Sequence, residues 1–304
     1  MPHTAPRELR PYLTEPRAMR TGVPGKTGCL KMEFELDANG KSILRDIYRR
    51  VPIIVQQALY FDEEMPDIPC VYILSSGGQN VDGDRYEQTI TVKRGAMAFV
   101  STGAATKLAE MRYNHSAMHQ VFTLEEDAYL EYLPEPIIPC RHTRFLSDTR
   151  LVVHPSASLF YSEIITAGRK HYKDGELFQY DLLSFTTQGI RPDETPLFRE
   201  KMLIEPHSQD VRQLGIMNNY DVLGTAFILA PKHTAEQIYS LLSPSIDHKN
   251  HTALAVTTLP NDSGLLVRIL GMETEPVKKL MRKICSVTRS CVKGKPLPNE
   301  FPWR

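Results

Sequence analysis

The chain has 304 residues, and its 36 basic residues equal its 36 acidic residues, so its formal net charge is zero. Neutrality argues against a nucleic-acid-binding protein, because such proteins gain affinity by neutralising phosphates. This length can bury a large core, and because no linker or low-complexity run divides the chain, we expect one β-rich domain over residues 28–304 after a polar arm over residues 1–27.

The cysteines and the apolar runs indicate the compartment. An odd number of cysteines without a CxxC pair favours reduced thiols in a cytosolic protein over a disulfide framework. The N-terminal residues lack the apolar segment of a signal peptide, and the most apolar run, 222–230, is too short to span a bilayer. We therefore expect a cytoplasmic protein without membrane contact. The cysteines are Cys29, Cys70, Cys140, Cys285 and Cys291.

The arm over residues 1–27 is polar and rich in proline, which predicts a mobile or loosely packed segment. Its end, Gly25-Lys26-Thr27, looks like the end of a phosphate-binding loop. That motif needs a glycine five positions before Gly25, where Arg20 stands, and a buried strand upstream. We interpret it as a solvated turn and not as a nucleotide site.

From residue 29 the pattern is that of β-strands. Residues 30–36 alternate apolar and charged side chains, which predicts a half-buried strand, and Asn39-Gly40 predicts a hairpin turn to a partner strand over 42–48. Regularly spaced turns favour stacked antiparallel sheets over alternating β-α units. Further strands are expected over 52–61, 68–75, 86–93, 96–101, 117–124, 128–133, 150–153, 158–166, 177–187, 197–204, 222–230, 253–259 and 265–270.

Two helices are predicted in the C-terminal third. Thr234 and Gln237 match a capping box at the start of the first. Thr274 can cap the second, whose apolar residues recur at helical spacing from Val277 to Thr288. We therefore predict a mainly β fold of stacked antiparallel or mixed sheets, a β-helix-like sandwich, with a few helices. The only tryptophan, Trp303, lies in a proline-rich tail and is expected to dock.

Residues 75–107 carry the most distinctive pattern of the chain. Glycines and small residues separate the two strands expected there and let a backbone or a partner approach closely. The motifs in this segment are, in order, Gly77-Gly78, Gly83-Asp84-Arg85, Gly95-Ala96, Ser101-Thr102 and Ala105-Thr106-Lys107. In this order they resemble the motifs of the urease accessory protein family UreD, called UreH in some organisms.

Later landmarks follow in the order of that family, so the resemblance extends from about residue 28 to the C-terminus. The chain departs from the family pattern at Ser76, where proline is common, and at Tyr132, which replaces the usual tryptophan. Neither departure changes a charged position. The landmarks are Leu130-Glu131-Tyr132-Leu133-Pro134, Glu163, Gly168-Arg169, Gly175-Glu176 with Phe178, and Pro196-Leu197 with Glu200.

The resemblance implies a scaffold that is not an enzyme and that helps to assemble the nickel centre of urease. It implies apo-urease, the helical protein UreF and the GTPase UreG as partners. It also implies an internal water-filled route for nickel, so that Ni²⁺ is a transient cargo and no cofactor is tightly bound. Consistent with this, the sequence contains no H-E-x-x-H, G-x-S-x-G, dinucleotide or complete phosphate-loop motif.

Several histidine and cysteine pairs have spacings that could bind a metal such as nickel. His115 and His119 lie four residues apart on one face, and Cys140 and His142 would share a strand face. His248 and His251 lie in a polar loop. Ten histidines in a chain of this length give such spacings by chance. For each pair taken alone, we favour chance over a metal site. An all-β metal-dependent enzyme that uses His115 and His119 with a carboxylate stays open as the alternative function.

Buried carboxylates are the stronger candidates. Glu131 and Glu163 have apolar neighbours in predicted strands, and burying an unpaired carboxylate is costly. Each must therefore pair with a cation or line a water-filled passage. Structural ion pairs are favoured for Glu131 and Glu176. The cations available in the family motifs are Arg85, Lys107 and Arg169.

Three acidic residues coincide with positions that the resemblance makes notable: Asp84, Glu163 and Glu200. Carboxylate oxygens along an internal channel would hold a divalent cation loosely and release it faster than thiolates do. We expect these three residues, with Glu131, to form a transient nickel route. Replacing Asp84, Glu163 or Glu200 with alanine should lower urease activation without preventing folding or assembly.

Overall fold

The computed structural model describes residues 5–14 and 25–298. Within them the chain forms twenty strands, two α-helices and two short 3-10 helices at Arg7–Leu9 and Pro260–Asp262. The first ten strands are β1 (Thr27–Leu36), β2 (Ser42–Arg50), β3 (Ile53–Val55), β4 (Cys70–Ser75), β5 (Arg85–Val92), β6 (Met97–Thr102), β7 (Thr106–Leu108), β8 (Ser116–Leu124), β9 (Tyr129–Tyr132) and β10 (Ile137–Pro139). The remaining elements are β11 (Arg144–Val153), β12 (Ser158–Thr166), β13 (Gly168–Arg169), β14 (Glu176–Leu177), β15 (Leu182–Ile190), β16 (Pro196–Ile204), β17 (Val222–Leu229), α1 (Lys232–Leu241), β18 (Ser245–Asp247), β19 (Thr252–Thr258), β20 (Gly264–Gly271) and α2 (Thr274–Lys293).

The strands form two large sheets. The seven-stranded sheet has the order β16-β15-β11-β8-β5-β1-β2. The eleven-stranded sheet follows the path β18-β19-β20-β17-β12-β9-β6-β4-β3, with β10 and β7 paired beside β12. β13 and β14 form a separate small hairpin.

In its middle part the chain alternates between the two sheets. β5, β8 and β11 are parallel neighbours in the seven-stranded sheet, and β6, β9 and β12 are parallel neighbours in the eleven-stranded sheet. Each circuit adds one strand to each sheet in the same direction, so the predicted mixed, β-helix-like sandwich is confirmed. The preference for antiparallel pairing holds in the outer parts of the two sheets, for example at β1/β2, β15/β16 and β17/β20. Alternation in a sequence shows which face of a strand is buried but does not identify its neighbours.

The largest apolar cluster fills the space between the sheets. In β1, Leu30, Met32 and Phe34 are buried while Lys31 is exposed, as the alternating pattern predicts. Phe122 of β8 and Tyr161 of β12 meet edge to face in this core, with ring centroids 5.2 Å apart. Burying each large apolar side chain stabilises the fold by about 1.5–3 kcal/mol.

A second apolar cluster lies on the other face of the eleven-stranded sheet, which α1 and α2 cover. The predicted stripe of α2 is confirmed, since Val277, Met281 and Ile284 are buried. No side-chain cap forms at either helix, because α1 begins after Pro231 and α2 after Glu273, which leaves Thr234 and Thr274 inside the helices. No helix within residues 5–14 and 25–298 is long and apolar enough to cross a membrane.

Three strand predictions need correction. The segment 52–61 forms a strand only over Ile53–Val55. The strand expected over 177–187 is Leu182–Ile190, because Phe178 has φ +55°, which ends the short β14 and breaks the extended backbone. The strand expected over 150–153 starts earlier, at Arg144. Trp303 lies outside the described residues.

Residues 5–14 of the predicted arm pack against the seven-stranded sheet, contrary to the expected loose packing. Leu9 has no exposed surface and lies in a cluster with Ala117 and Leu146. Glu8 accepts a hydrogen bond from Ser184 at 2.8 Å and pairs with Lys201 at 2.5 Å. An isolated leucine in a polar segment gives no periodic signal, so the sequence pattern did not predict this contact.

Candidate functional site

Polar side chains interrupt the apolar core between the two sheets. Gln88, Gln120 and Ser147 come from the seven-stranded sheet, and Glu163 faces them from the eleven-stranded sheet. All four line a cavity of about 400 Å³. We call the set Gln88, Gln120, Ser147, Glu163, Glu200, Thr225 and Arg268 the polar layer.

Glu163 is the central acid of the cavity. It is buried, accepts a hydrogen bond from Tyr161 Oη at 2.6 Å and interacts with Ser147. Burial raises the pKa of this carboxyl, although the bond from Tyr161 and the charge of Arg268 oppose the rise. The group can therefore exchange protons, and its carboxylate form can attract a cation.

The tyrosines beside Glu163 are held as hydrogen-bonding groups. Besides Glu163, Tyr161 Oη has two polar neighbours, Thr149 Oγ1 at 3.1 Å and Gln120 Oε1 at 3.3 Å. Gln120 also donates to Tyr132 Oη at 3.2 Å. Burial raises the pKa of Tyr132 to about 12. These phenols therefore stay protonated at neutral pH and provide no further negative charge.

Glu200 lies at the far end of the polar layer from the cavity. It belongs to β16, and Arg268 of β20 donates hydrogen bonds to Glu200 Oε1 and to Thr225 Oγ1. Glu163, Thr225 and Arg268 are paired in register across β12, β17 and β20, so they share one face of the eleven-stranded sheet. The polar layer thus connects Glu163 and Glu200 through Arg268.

Asp84 lies apart from these two acids. It is fully buried and accepts hydrogen bonds from the backbone N–H groups of Lys26 and Val81, each at 2.9 Å, and from Tyr86 Oη at 2.8 Å. Tyr86 lines the cavity, and Asp84 is not among the described residues that line it. Asp84 fixes the turn at Gly83, which has φ +78°, and its role on a nickel route stays a prediction.

Glu131 faces away from the cavity. Both of its oxygens accept hydrogen bonds from Arg289 of α2, at 2.7 and 2.5 Å, and Tyr129 Oη donates to it at 2.5 Å. Asp62 pairs with Arg289 at 2.5 Å, and none of these charged side chains is exposed. The expected structural ion pair is present, with Arg289 as its cation instead of Arg85, Lys107 or Arg169. The cluster lies on the helix-covered face of the sheet, where Tyr129 packs.

The other expected structural pair joins β13 to β14. Arg169 donates two hydrogen bonds to Glu176, at 2.8 and 2.6 Å, and Arg141 approaches the same carboxylate at 3.2 Å. The hydrogen bond from Arg169 holds the pKa of Glu176 below its ordinary value. Gly175 has φ +87°, which allows the tight turn between the two strands.

The motif over residues 75–107 surrounds the mouth of the cavity. Gly78, Thr106 and Lys107 line the mouth, and the Lys107 side chain is exposed. A Cβ on Gly77 would come within 2.7 Å of Pro52, so this position requires glycine. Arg85 stays outside the cavity and donates to Asn114 Oδ1 at 2.8 Å and to the carbonyl of His115 at 2.5 Å.

The histidine and cysteine pairs named from the sequence lie in different surroundings. His115 is buried before β8, its Nδ1 lies 3.1 Å from the Tyr12 carbonyl, and burial together with the charge of Arg85 lowers its pKa to about 4. His119 lies within β8, with Nδ1 3.7 Å from Asp148. Among the described residues no group of three or more His, Cys, Asp or Glu side chains could hold a metal ion.

The prediction that Cys140 and His142 share a strand face is wrong. β10 ends at Pro139, and both residues lie in the turn that follows, where His142 has φ +55°. His142 Nδ1 instead lies 3.1 Å from Asp181. His248 and His251 do lie in a turn, between β18 and β19.

Sequence reasoning missed the two arginines that organise the buried charges. Arg268 is the single charged residue in the otherwise apolar strand β20, and Arg289 falls on the buried stripe of α2. An isolated charge on an otherwise buried face is the signal that could have identified each one. Neither residue belongs to the family motifs quoted above, so the resemblance did not point to them either.

Comparisons with known proteins agree with the motifs. The family model described as UreD urease accessory protein matches residues 26–304. Urease accessory protein UreD 2 of Brucella suis biovar 1 (strain 1330) is 43% identical over 297 residues, which cover 98% of each chain. UreD 3 of Methylorubrum populi is 44% identical over 299 residues, covering 98% of this chain and 96% of the relative. UreD of Yersinia enterocolitica is 39% identical over 303 residues, covering 98% and 92%. The resemblance is thereby confirmed, and the chain belongs to the UreD urease accessory protein family.

Proposed function

We propose that this chain is a non-catalytic, cytoplasmic accessory protein that binds apo-urease and, together with UreF and UreG, delivers nickel to the urease active site. The nickel passes through the polar layer between the sheets. The observation that carries this proposal is the position of Glu163, a buried acid that faces an internal cavity of about 400 Å³.

The chemistry of the cavity suits a cation in transit. Apart from the Lys107 ammonium at the mouth, its polar groups are amides, hydroxyls and carboxylates, and the described residues that line it offer no imidazole, the side chain that suits nickel in stable sites. Oxygen ligands would hold the ion loosely and let it exchange. The volume is large enough for several water molecules, each of which occupies about 30 Å³ in the liquid.

A polar atom at the mouth of the cavity supports its being filled with water. Asn80 Nδ2 is buried and lacks a hydrogen-bond partner among the described residues. Asn80 lines the cavity near Lys107. A buried amide N–H without a protein partner is usually satisfied by water, so we expect water in this part of the cavity.

Glu163→Gln tests the proposed route, because it keeps the shape of the side chain and removes its charge. Glu87→Gln is the matched control, since Glu87 is exposed on β5. In cells that express the urease genes, we expect Glu163→Gln to lower the nickel content of urease while the chain still co-purifies with its partners. Normal nickel content of urease with Glu163→Gln would reject the route. If neither variant co-purified with its partners, the loss of nickel would reflect failed assembly and not a blocked route.

A further inference from the structure

Among the described residues, Arg268 is the only cation of the polar layer. It contacts Glu200, an acid of the proposed nickel route. Its guanidinium donates to Glu200 Oε1 of the opposite sheet and to Thr225 Oγ1 of the neighbouring strand. It also attracts Glu163, two strands away in the same register row. A positive charge thus occupies the region that a divalent cation would have to cross between the two acids.

The pairing of Glu200 is incomplete. Glu200 Oε2 is a buried atom and has no hydrogen-bond partner among the described residues. An ion pair with a purely structural role is expected to satisfy both carboxylate oxygens, because a buried oxygen atom without a partner is costly. The buried pair of Arg289 and Glu131 meets that expectation, since Arg289 donates hydrogen bonds to both oxygens of Glu131.

The position of the pair also differs from that of the structural cluster. The side chains of Arg268 and Glu200 are 29% and 28% exposed, whereas those of Arg289 and Glu131 are fully buried. Arg268 can therefore turn towards solvent without crossing the core. Its long side chain needs only rotamer changes, which occur much faster than domain motions.

We propose that Arg268 is a cationic plug of the polar layer, which blocks divalent cations between Glu163 and Glu200 until its side chain turns away. This inference rests on the proposed function. In the closed state Arg268 neutralises Glu200 and repels an approaching Ni²⁺. When Arg268 leaves, the carboxylates of Glu163 and Glu200 face the passage, and the polar layer as defined above contains no other cation.

Equilibrium dialysis of the purified full-length chain against Ni²⁺ alone tests the plug. Replacing the guanidinium with methionine removes a repelling charge close to the ion, and we expect Arg268→Met to bind Ni²⁺ at least about tenfold more tightly than the wild type. Arg268→Lys should bind as the wild type does. The double variant Arg268→Met/Glu200→Gln should lose the gain.

Two further variants separate the plug from a general effect of charge or from misfolding. Arg150→Met removes the cation of an exposed ion pair with Glu194 and should leave nickel binding unchanged. Thr225→Val keeps every charge but removes one hydrogen bond that holds Arg268, so binding should tighten by about threefold, as expected when a bond worth roughly 0.5–1.5 kcal/mol is lost. Circular dichroism establishes that each variant is folded.

The outcomes distinguish the plug from the route. Tighter binding by Arg268→Met or Thr225→Val, with Arg150→Met unchanged, supports the plug. If Arg268→Met and Thr225→Val are folded and bind Ni²⁺ with the affinity of the wild type, the plug is overturned, even if Glu163→Gln blocks nickel loading in cells. Normal loading with Glu163→Gln rejects the route, whereas the dialysis result concerns Arg268 alone.

Discussion

Arg289 of α2 donates two hydrogen bonds to Glu131 of β9, at 2.7 and 2.5 Å, and neither side chain is exposed. Together with the contact to Asp62, this pair joins the C-terminal helix to the eleven-stranded sheet and to the loop before β4. It is the most deeply buried charge cluster in the described part of the chain, and it lies on the opposite face of the sheet from the cavity.

Removing one member of this cluster is therefore expected to destabilise the fold strongly. Arg289→Met leaves two carboxylates buried without a cation, which costs about 3–5 kcal/mol. Arg94→Met is the control, because Arg94 pairs with Glu126 at the surface and such pairs contribute about 0–1 kcal/mol. Urea unfolding of the two variants measures the difference. Equal free energies of unfolding would contradict the structural role of Arg289.

Glu163 should make stability depend on pH. Burial raises the folded-state pKa of this carboxyl above its ordinary value of 4.5. The folded chain therefore binds the proton more tightly than the unfolded chain, so this stabilising contribution is fully present below pH 4.5 and is lost as the pH rises through the folded-state pKa.

The comparison with Glu163→Gln isolates this effect, because glutamine does not titrate. We expect the free energy of unfolding of the variant, relative to the wild type, to rise as the pH increases from 4.5 towards neutrality. Urea titrations at several pH values measure it, with Glu87→Gln as the exposed control. A difference that stays constant with pH would show that the carboxyl of Glu163 is not buried as described.

Gly168 should not accept a side chain. It has φ +141°, and a Cβ there would lie 1.9 Å from the carbonyl oxygen of Glu176. We expect Gly168→Ala to separate β13 from β14 and to destabilise the fold by more than the roughly 1–2 kcal/mol of a left-handed backbone alone. Gly40→Ala is the control, since Gly40 has φ +79° with nothing within 4 Å of the added carbon. Similar decreases in melting temperature for the two variants would contradict the close approach of Gly168 to the carbonyl oxygen of Glu176.

The N-terminal contact can be tested with two leucines of the same segment. Leu9 is fully buried and Leu13 is 48% exposed. Leu9→Ala should cost about 2–5 kcal/mol if the segment unfolds together with the sheet, whereas Leu13→Ala should have little effect. Denaturant unfolding and limited proteolysis near residue 9 measure both. Unchanged stability and unchanged proteolysis in Leu9→Ala would contradict the packing of this segment.

Local patterns predicted most of the strands because each strand has one face in the core between the sheets. Residues 30–36 and 158–166 follow their predictions closely. The strand partners were less predictable, since a β-helix-like winding joins strands that lie about thirty residues apart in the chain, as β5, β8 and β11 do. A local period carries no information on such contacts.

The site was predictable in part. The resemblance pointed to Glu163 and Glu200, which the structure joins through Arg268. It also pointed to Glu131, which belongs to the cluster around Arg289. Glu131 and Glu163 both lie in apolar strands of the eleven-stranded sheet, and only the three-dimensional arrangement decides which face of that sheet each one occupies.

The proposed passage of nickel through the polar layer is tested most directly by transfer in vitro. Purified apo-urease, UreF and UreG are combined with this chain and radioactive nickel, and the nickel bound to urease is counted. We expect the Glu163→Gln chain to assemble but to transfer markedly less nickel than the wild-type and Glu87→Gln chains. Equal transfer by all three chains, in intact complexes, would show that nickel does not pass Glu163.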